Sequence, residues 1–249
     1  MDDRRGSKRK SLLSMGNETM VYGVKKEDGT DSKLVIKHLE GRFGKGSEEG
    51  FDEETAYELR DRYKSLQKHY GKYIPRQWVM PHYSEKPRKS FFLAQERLQP
   101  AEPADVYEYE IGGLQEKSRV QLAEIAGLLK TSYREYEETG TDEGNLPFDL
   151  LGDTNLMVTK DGDVRYIDSG FSIRRYSEMS DVHLNEDFKA RVAWLELIAE
   201  VNPEDIINDE FYTSVFEEFE KKSGLRRSDI ERDPNKLLRQ IANYTFGIY

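Results

Sequence analysis

The stretch Asn145–Phe171, NLPFDLLGDTNLMVTKDGDVRYIDSGF, decides how the rest of the chain is interpreted. It contains two short apolar runs, Leu156–Val158 and Val164–Ile167, on either side of an Asp-Gly pair. Such runs around Asp-Gly predict a β-hairpin. Asn155 enters this hairpin and Asp168 leaves it, so we expect the two side chains to meet in space. An amide oxygen and a carboxylate that converge form an oxygen-rich site suited to Mg²⁺ carrying phosphates.

This order of features, an Asn, a hairpin with a polar turn and an Asp-x-Gly triplet, resembles the catalytic and metal-binding segment of the protein-kinase-like superfamily. The triplet here is Asp168-Ser169-Gly170, with Ser169 where protein kinases usually carry Phe. Gly170 allows a sharp turn and a close approach of the backbone to a ligand. The resemblance implies that Asn155 and Asp168 bind Mg²⁺ and that ATP is the nucleotide. Taken alone, the stretch also fits an ordinary surface hairpin with polar ends.

The N-terminal region predicts an antiparallel meander. Residues 11–24 read as a hairpin around a Gly-Asn turn, and a second hairpin continues to residue 38. In the kinase-like family the first hairpin lies over the nucleotide phosphates and has a glycine-rich turn. Against the pattern G-x-G-x-x-G-x-V this chain offers Ser14, Gly16, Thr19 and Val21, so it keeps one glycine. Gly16 is therefore the candidate phosphate-binding residue, with a plain hairpin turn as the alternative.

The next strand ends in Leu34-Val35-Ile36-Lys37, which resembles the Val-Ala-Ile-Lys strand of protein kinases. The resemblance implies that Lys37 reaches the nucleotide phosphates. A surface lysine at a strand end is the alternative interpretation. A helix is expected over residues 51–70, where the family places a Glu that pairs with the lysine. Glu54 and Glu58 lie four residues apart on nearly one face, and we favour Glu54.

Two further strands are expected, over residues 73–80 and 90–96. The segment that follows them, Gln95–Pro100, resembles the hinge between two kinase lobes, which implies that backbone groups near Glu96 and Leu98 bind the adenine ring. The predicted fold is therefore α+β and two-lobed. Its expected parts are a basic disordered tail over residues 1–10, a nucleotide-binding lobe of antiparallel sheet plus one helix over residues 11–99, and a mostly helical lobe with the catalytic loop and metal site over residues 100–249.

Helical periodicity in the C-terminal part predicts helices over residues 116–138, 185–201, 203–222 and 232–244. Val120 and Leu122 are among the apolar residues expected on the buried face of the first of these helices. An aromatic stripe in the third, formed by Phe211, Val215, Phe216 and Phe219, is expected to be core rather than a cofactor site.

The catalytic loop departs from the family pattern. Active kinase-like enzymes carry an Asp five residues before the metal-binding Asn, where it accepts the proton of the attacking hydroxyl. Leu150 occupies that position here, while Asp149 stands six residues before Asn155 and Asp153 two residues before it. A one-residue insertion near Gly152 would keep Asp149 in place, which makes Asp149 the candidate base. A rebuilt loop that has lost the base is the alternative.

Composition limits the functions to consider. The 249 residues carry a net charge of −10, contain no cysteine and include no apolar run long enough for a membrane span. We therefore expect a soluble cytoplasmic protein without disulfides, without a membrane partner and without general affinity for nucleic acids. The basic tail before residue 11 is expected to be a solvated arm.

The combined prediction is an ATP- and Mg²⁺-dependent phosphotransferase that acts on a hydroxyl of an unidentified small molecule or protein. Because no Ala-Pro-Glu follows Phe171, the pattern is closer to the bacterial small-molecule branch, similar in outline to aminoglycoside and choline kinases. The acidic chain favours a cationic acceptor. The alternative is a pseudokinase, a nucleotide-binding or non-catalytic regulatory module of the same fold.

Overall fold

The computed structural model describes residues 11–15, 19–39, 53–82, 90–139, 155–167 and 182–224, together with residues 236 and 240. The chain folds into two compact units. Unit 1 comprises Met1–Lys64 and Pro75–Leu98, and unit 2 comprises Ser65–Ile74 and Gln99–Tyr249. None of the helices in the described ranges is both long and apolar enough to cross a membrane.

Unit 1 is built on a five-stranded antiparallel sheet with the strand order β1-β2-β3-β5-β4. Its strands are β1 (Ser11–Met15), β2 (Thr19–Lys25), β3 (Asp31–Leu39), β4 (Gln77–His82) and β5 (Ser90–Glu96). The turn between β2 and β3 forms because the Asp28 carboxylate accepts from the Thr30 N–H at 2.8 Å and Gly29 adopts a φ of +83°. Helix α1 (Glu53–Tyr70) lies in the chain between β3 and β4.

Unit 2 combines a three-stranded antiparallel sheet with helices. The sheet has the order β6-β7-β8, formed by β6 (Pro100–Asp105), β7 (Leu156–Thr159) and β8 (Val164–Tyr166). The described helices are α2 (Glu116–Thr139), α3 (Val182–Ile198), α4 (Pro203–Asn208) and α5 (Thr213–Ser223). Helix α3 packs against both α2 and α5, and fully buried side chains such as Leu122, Leu129 and Leu195 form the core.

The predicted fold class is confirmed: an antiparallel N-terminal sheet with one helix precedes a mostly helical C-terminal part. The order of three strands, a helix and two strands is the one that the kinase-like resemblance implies for the N-terminal lobe. The aromatic stripe that contains Phe211 and Phe219 is buried, as expected.

Three local predictions were wrong. The segment over residues 203–222 is not one helix, because Asp209 has an extended backbone and its carboxylate accepts from the Phe211 N–H at 3.0 Å, which starts a new 3₁₀ turn. Residues 71–73 form a 3₁₀ turn, and strand β4 starts only at Gln77, after Pro75, which has no N–H for a ladder.

Val120 is 56% exposed although it lies on α2, since the buried face runs through Ser118, Leu122 and Ile125. The helix expected over residues 232–244 lies outside the described residues except at two positions.

Candidate functional site

The β7–β8 hairpin forms as predicted. Leu156 pairs with Tyr166, and Val158 pairs with Val164 in an antiparallel register. Its turn closes through the Thr159 N–H, which donates to the Asp163 C=O at 2.8 Å, and Gly162 takes a φ of +75°. A positive φ is strained for residues with a Cβ, which explains the glycine at this position.

Asn155 lies at the open end of this hairpin. The Ile167 N–H donates to the Asn155 C=O at 2.9 Å, so the residue that enters β7 sits directly beside the residue that follows β8. Asn155 is buried, with 7% of its surface exposed. Asp168 comes immediately after Ile167 in the chain but lies outside the described residues. Its proximity to Asn155 therefore stays a prediction, now constrained by a hydrogen bond one residue away.

Lys37 occupies the central strand of unit 1. Strand β3 is flanked by β2 and β5, and Lys37 pairs with Val21 on one side and Leu93 on the other. Directly opposite residues of antiparallel strands point to the same face. Leu93 is buried and Lys37 is half-buried, so the lysine does not project from a freely solvated strand end.

The same face of the sheet carries a buried amide that sequence analysis did not assign. Gln95 is two residues after Leu93 on β5 and pairs with Val35, which makes it a diagonal neighbour of Lys37 at a typical Cβ separation of about 7–8 Å. Gln95 is 3% exposed, and its Oε1 has no hydrogen-bond partner among the described residues. The available signal was a glutamine directly after the apolar run Phe91–Ala94.

The opposite face of this sheet has a different character. Trp78 pairs with Ala94, which pairs with Ile36 and, through it, with Tyr22, so these residues form a row across four strands. Trp78 is 51% exposed. The two faces therefore differ clearly, and the predicted phosphate-binding lysine belongs to the one with the buried polar groups.

The predicted hinge begins at Glu96, the last residue of β5, and continues beyond the strand to Leu98. The Glu96 N–H donates to the Arg76 C=O at 2.8 Å, and the Arg97 N–H donates to the Lys33 C=O at 2.8 Å. Within the described part of the chain, no backbone group is hydrogen-bonded to the N–H or C=O of Leu98.

The remaining predicted site residues are not tested by the structure. Gly16 and Asp149 lie outside the described residues. Glu54 and Glu58 both fall within helix α1, whose backbone is described, but their side chains are not. Within the described ranges, His, Asp and Glu side chains do not form a group of three that could hold a metal ion.

Comparisons with known proteins give similarities of fold. No protein-family model matches this sequence, and no curated protein matches it. A solved structure of an apo pseudokinase is 15% identical over 92% of this chain and 82% of its own, with a TM-score of 0.42. The pseudokinase called drought responsive inactive kinase 1, bound to ENMD-2076, is 16% identical over 92% of this chain and 81% of its own, with a TM-score of 0.42.

A third solved structure is the CAK complex from Chaetomium thermophilum bound to ATP-gamma-S. It is 17% identical over 65% of this chain and 46% of its own chain, with a TM-score of 0.38.

Proposed function

We propose that this chain is an ATP- and Mg²⁺-dependent phosphotransferase of the kinase-like type, which transfers the γ-phosphoryl group to a hydroxyl of a small molecule or protein. One observation carries the proposal: the 2.9 Å hydrogen bond from the Ile167 N–H to the Asn155 C=O. This bond closes the hairpin at the end where a buried amide would have to stand beside the carboxylate of Asp168.

The proposed nucleotide-binding roles in unit 1 belong to Lys37, Glu54, Gly16 and the backbone at Glu96 and Leu98. Lys37 would hold the α- and β-phosphates, and Glu54 would fix its position. The half-buried location of Lys37 on the central strand supports this role, since burial beside apolar groups strengthens its attraction to a phosphate. Gly16 would let backbone N–H groups approach the phosphates, and the hinge backbone would bind adenine.

The proposed roles in unit 2 belong to the hairpin and the loop before it. Asn155 and Asp168 would bind Mg²⁺, because amide and carboxylate oxygens are the ligands that this cation prefers. When bound, Mg²⁺ neutralises charge on the phosphates. Asp149 would orient the acceptor hydroxyl and accept its proton. Catalysis in this class is mostly positioning and charge neutralisation, so few side chains are needed.

A thermal-denaturation titration tests the metal and nucleotide site. ATP with MgCl₂ should raise the Tm of the wild-type chain by about 5–10 °C at about 100 times its Kd. Asp168→Ala should abolish the Mg²⁺-dependent part of this shift. Asp161→Ala is the matched control, because Asp161 is an exposed carboxylate at the other end of the same hairpin. An equal loss in both variants would contradict the assignment of Asp168.

A second pair of variants tests Lys37. Lys37→Met should weaken ATP binding by about tenfold or more, equivalent to about 1.4 kcal/mol or more. Lys33→Met removes an exposed lysine from the same strand and should leave ATP affinity unchanged. If the two substitutions weaken ATP binding equally, the effect is one of net charge and not of the proposed site.

A pseudokinase is the second candidate function, favoured by Leu150 at the position where the family carries its base. ATP consumption distinguishes the two functions. If the chain is an enzyme, the wild type should turn over ATP. Asp149→Asn should abolish this turnover while still binding Mg²⁺-ATP. Wild-type binding without turnover, across small aminated and peptide acceptors, would establish the pseudokinase. Cationic acceptors are the first to test because of the net charge of −10, and a small aminated substrate would favour the small-molecule-kinase branch.

A further inference from the structure

Helix α2 holds the turn of the β7–β8 hairpin through its first turns. Lys117 Nζ lies 3.0 Å from the Asp161 C=O and 2.9 Å from Asp163 Oδ1. Ser118 Oγ, fully buried, donates to the Gly162 C=O at 2.8 Å. Two successive side chains of the helix therefore bind three successive residues of the turn.

Gln121, one helical turn further along α2, makes two hydrogen bonds to the same hairpin. Its Nε2 donates to Asp163 Oδ1 at 3.0 Å, and its Oε1 accepts from the Val164 N–H at 2.8 Å. Val164 belongs to β8, the last strand in the sheet order β6-β7-β8. The buried amide of Gln121 therefore supplies the acceptor that another strand would provide at this edge.

The register of the hairpin is set first by its own turn, where the Thr159 N–H donates to the Asp163 C=O at 2.8 Å and the Asp163 N–H donates to Thr159 Oγ1 at 3.0 Å. Only three residue pairs join β7 to β8, and a shift by one residue would turn every side chain to the other face of the sheet. The bonds from α2 go to individual atoms of Gly162, Asp163 and Val164, so they are compatible with one register only. The same register sets Ile167 beside Asn155 at the open end.

We propose that Lys117, Ser118 and Gln121, here called the α2 clamp, position the metal ligand Asn155 by reinforcing the register of the hairpin. Gln121 is the central positioning residue, because it binds both the turn and the edge strand. The α2 clamp rests on the proposed function, since it deepens the role given there to Asn155. Replacing a residue that hydrogen-bonds a metal ligand directly typically changes metal affinity by about 10–100-fold, and because Gln121 acts on Asn155 only through the hairpin, we expect the low end of this range.

The test uses the full chain with Gln121→Leu, which removes both hydrogen bonds, and Ser132→Ala as the matched control. Ser132 is also buried on α2, but it accepts a hydrogen bond from Tyr70 at 2.9 Å and does not contact the hairpin in the described structure. The apparent Kd for Mg²⁺ is measured at fixed ATP by thermal denaturation. Gln121→Leu should raise it about tenfold while ATP affinity without Mg²⁺ stays the same, and Ser132→Ala should leave both unchanged.

Hydrogen exchange of the Ile167 amide gives a second readout that needs no ligand. Its N–H donates to the Asn155 C=O, so faster exchange in Gln121→Leu than in Ser132→Ala is expected if the α2 clamp controls the open end. If Gln121→Leu does not fold, the pair Gln121→Glu and Gln121→Glu/Asp163→Asn replaces it. The second of these restores a donor opposite the new carboxylate and should recover Mg²⁺ affinity.

The outcomes separate the two proposals. If the wild type binds ATP in a Mg²⁺-dependent manner and Gln121→Leu binds it equally well, with unchanged exchange at Ile167, the α2 clamp is wrong and the proposed function stands. A wild-type chain without any Mg²⁺-dependent ATP binding overturns the proposed function and, with it, the role given to the α2 clamp.

Discussion

The two halves of helix α2 hold their neighbours in different ways. The N-terminal half binds the β7–β8 hairpin through side-chain bonds to the turn and the edge strand, mainly from Ser118 and Gln121. The C-terminal half binds other helical segments through charge. Lys130 Nζ lies 2.6 Å from Glu196 Oε1 and 2.9 Å from Asp209 Oδ2. The neutral side chains of Ser118 and Gln121 hold the hairpin together with one ion pair from Lys117 to Asp163, whereas Lys130 binds its neighbours through ion pairs.

The ion pairs of Lys130 lie in a mostly buried setting. Glu196 is 6% exposed and also accepts a hydrogen bond at 2.8 Å from the hydroxyl of the fully buried Tyr212. Burial by itself lowers the pKa of Lys130, but its hydrogen bonds to Glu196 and Asp209 outweigh this effect and raise the pKa. Burial, reinforced by Glu196, raises the pKa of Tyr212. The network therefore keeps its lysine charged and its tyrosine neutral at physiological pH.

This difference indicates that the two halves of α2 have different roles, one in stability and one in the geometry of the proposed site. Breaking a buried ion pair leaves an uncompensated charge, so the C-terminal half should govern stability. The bonds of the N-terminal half are partly exposed, and they hold the turn of the hairpin whose open end carries Asn155. They should contribute less to stability and more to the geometry of the proposed site.

The strongest test of this division is Lys130→Met. Removing the lysine leaves the buried Glu196 carboxylate without its cation, so the free energy of unfolding should fall by about 3–5 kcal/mol. Urea denaturation measures the change. Lys222→Met is the control: Lys222 pairs with Glu218 at 2.9 Å on the surface of α5, and such pairs contribute about 0.5 kcal/mol or less. Similar losses in both variants would show that the buried network is no stronger than a surface pair.

One glycine contacted by α2 and one glycine inside α2 should respond to alanine substitution with opposite changes in the free energy of unfolding. Gly162, in the hairpin turn, has a φ of +75°, and a Cβ there would lie 2.7 Å from Gln115 Oε1. Gly162→Ala should therefore destabilise the chain by about 1–2 kcal/mol. Gly127 lies inside α2, and a Cβ there would meet nothing within 4 Å. Gly127→Ala should stabilise the chain by about 0.5–1 kcal/mol.

Thermal or urea denaturation of both glycine variants measures whether each substitution raises or lowers the free energy of unfolding. A neutral Gly162→Ala variant would mean that the turn adapts to a side chain, and that the N-terminal half of α2 does not hold it in one conformation. A destabilised Gly127→Ala variant would contradict the open space at that position and the helical role of Gly127.

Local sequence patterns predicted the hairpin and the strand of Lys37 because their signals are local. An Asp-Gly turn between apolar runs requires no knowledge of distant residues, and Leu34–Lys37 alternates with the period of a strand. The helix break at Asp209 was missed, since an Asp within a helical pattern looks the same whether or not it caps a turn. The actual cap is a hydrogen bond with the Phe211 N–H, which forms only in the folded chain.

The α2 clamp could not be predicted for a related reason. Gln121 and Val164 are joined by a hydrogen bond across a long sequence separation, and a glutamine on a helix is usually a solvated residue. The spacing of Ser118 and Gln121, one turn apart and on the face that also carries Leu122 and Ile125, was the available signal. Polar residues on the apolar face of a helix indicate a hydrogen-bonded partner, but not which one.

The last expected effect concerns pH and the N-terminal half of α2. The hydrogen bond from Lys117, aided by that from Gln121, holds the pKa of Asp163 below its ordinary value of 3.8. A carboxyl with a depressed folded-state pKa stabilises the chain fully above its unfolded value and loses that contribution as the pH falls through the folded value. Asp163→Asn should therefore lower the free energy of unfolding by about 1 kcal/mol at pH 7.

The difference between wild type and Asp163→Asn should shrink steadily below about pH 4, because the wild-type carboxyl is then protonated. Urea denaturation of both chains between pH 7 and pH 3 measures it. A difference that stays constant over this range would mean that the asparagine acts through packing and not through the loss of charge. In that case the Lys117–Asp163 pair would contribute nothing electrostatic, and Ser118 and Gln121 alone would hold the hairpin turn.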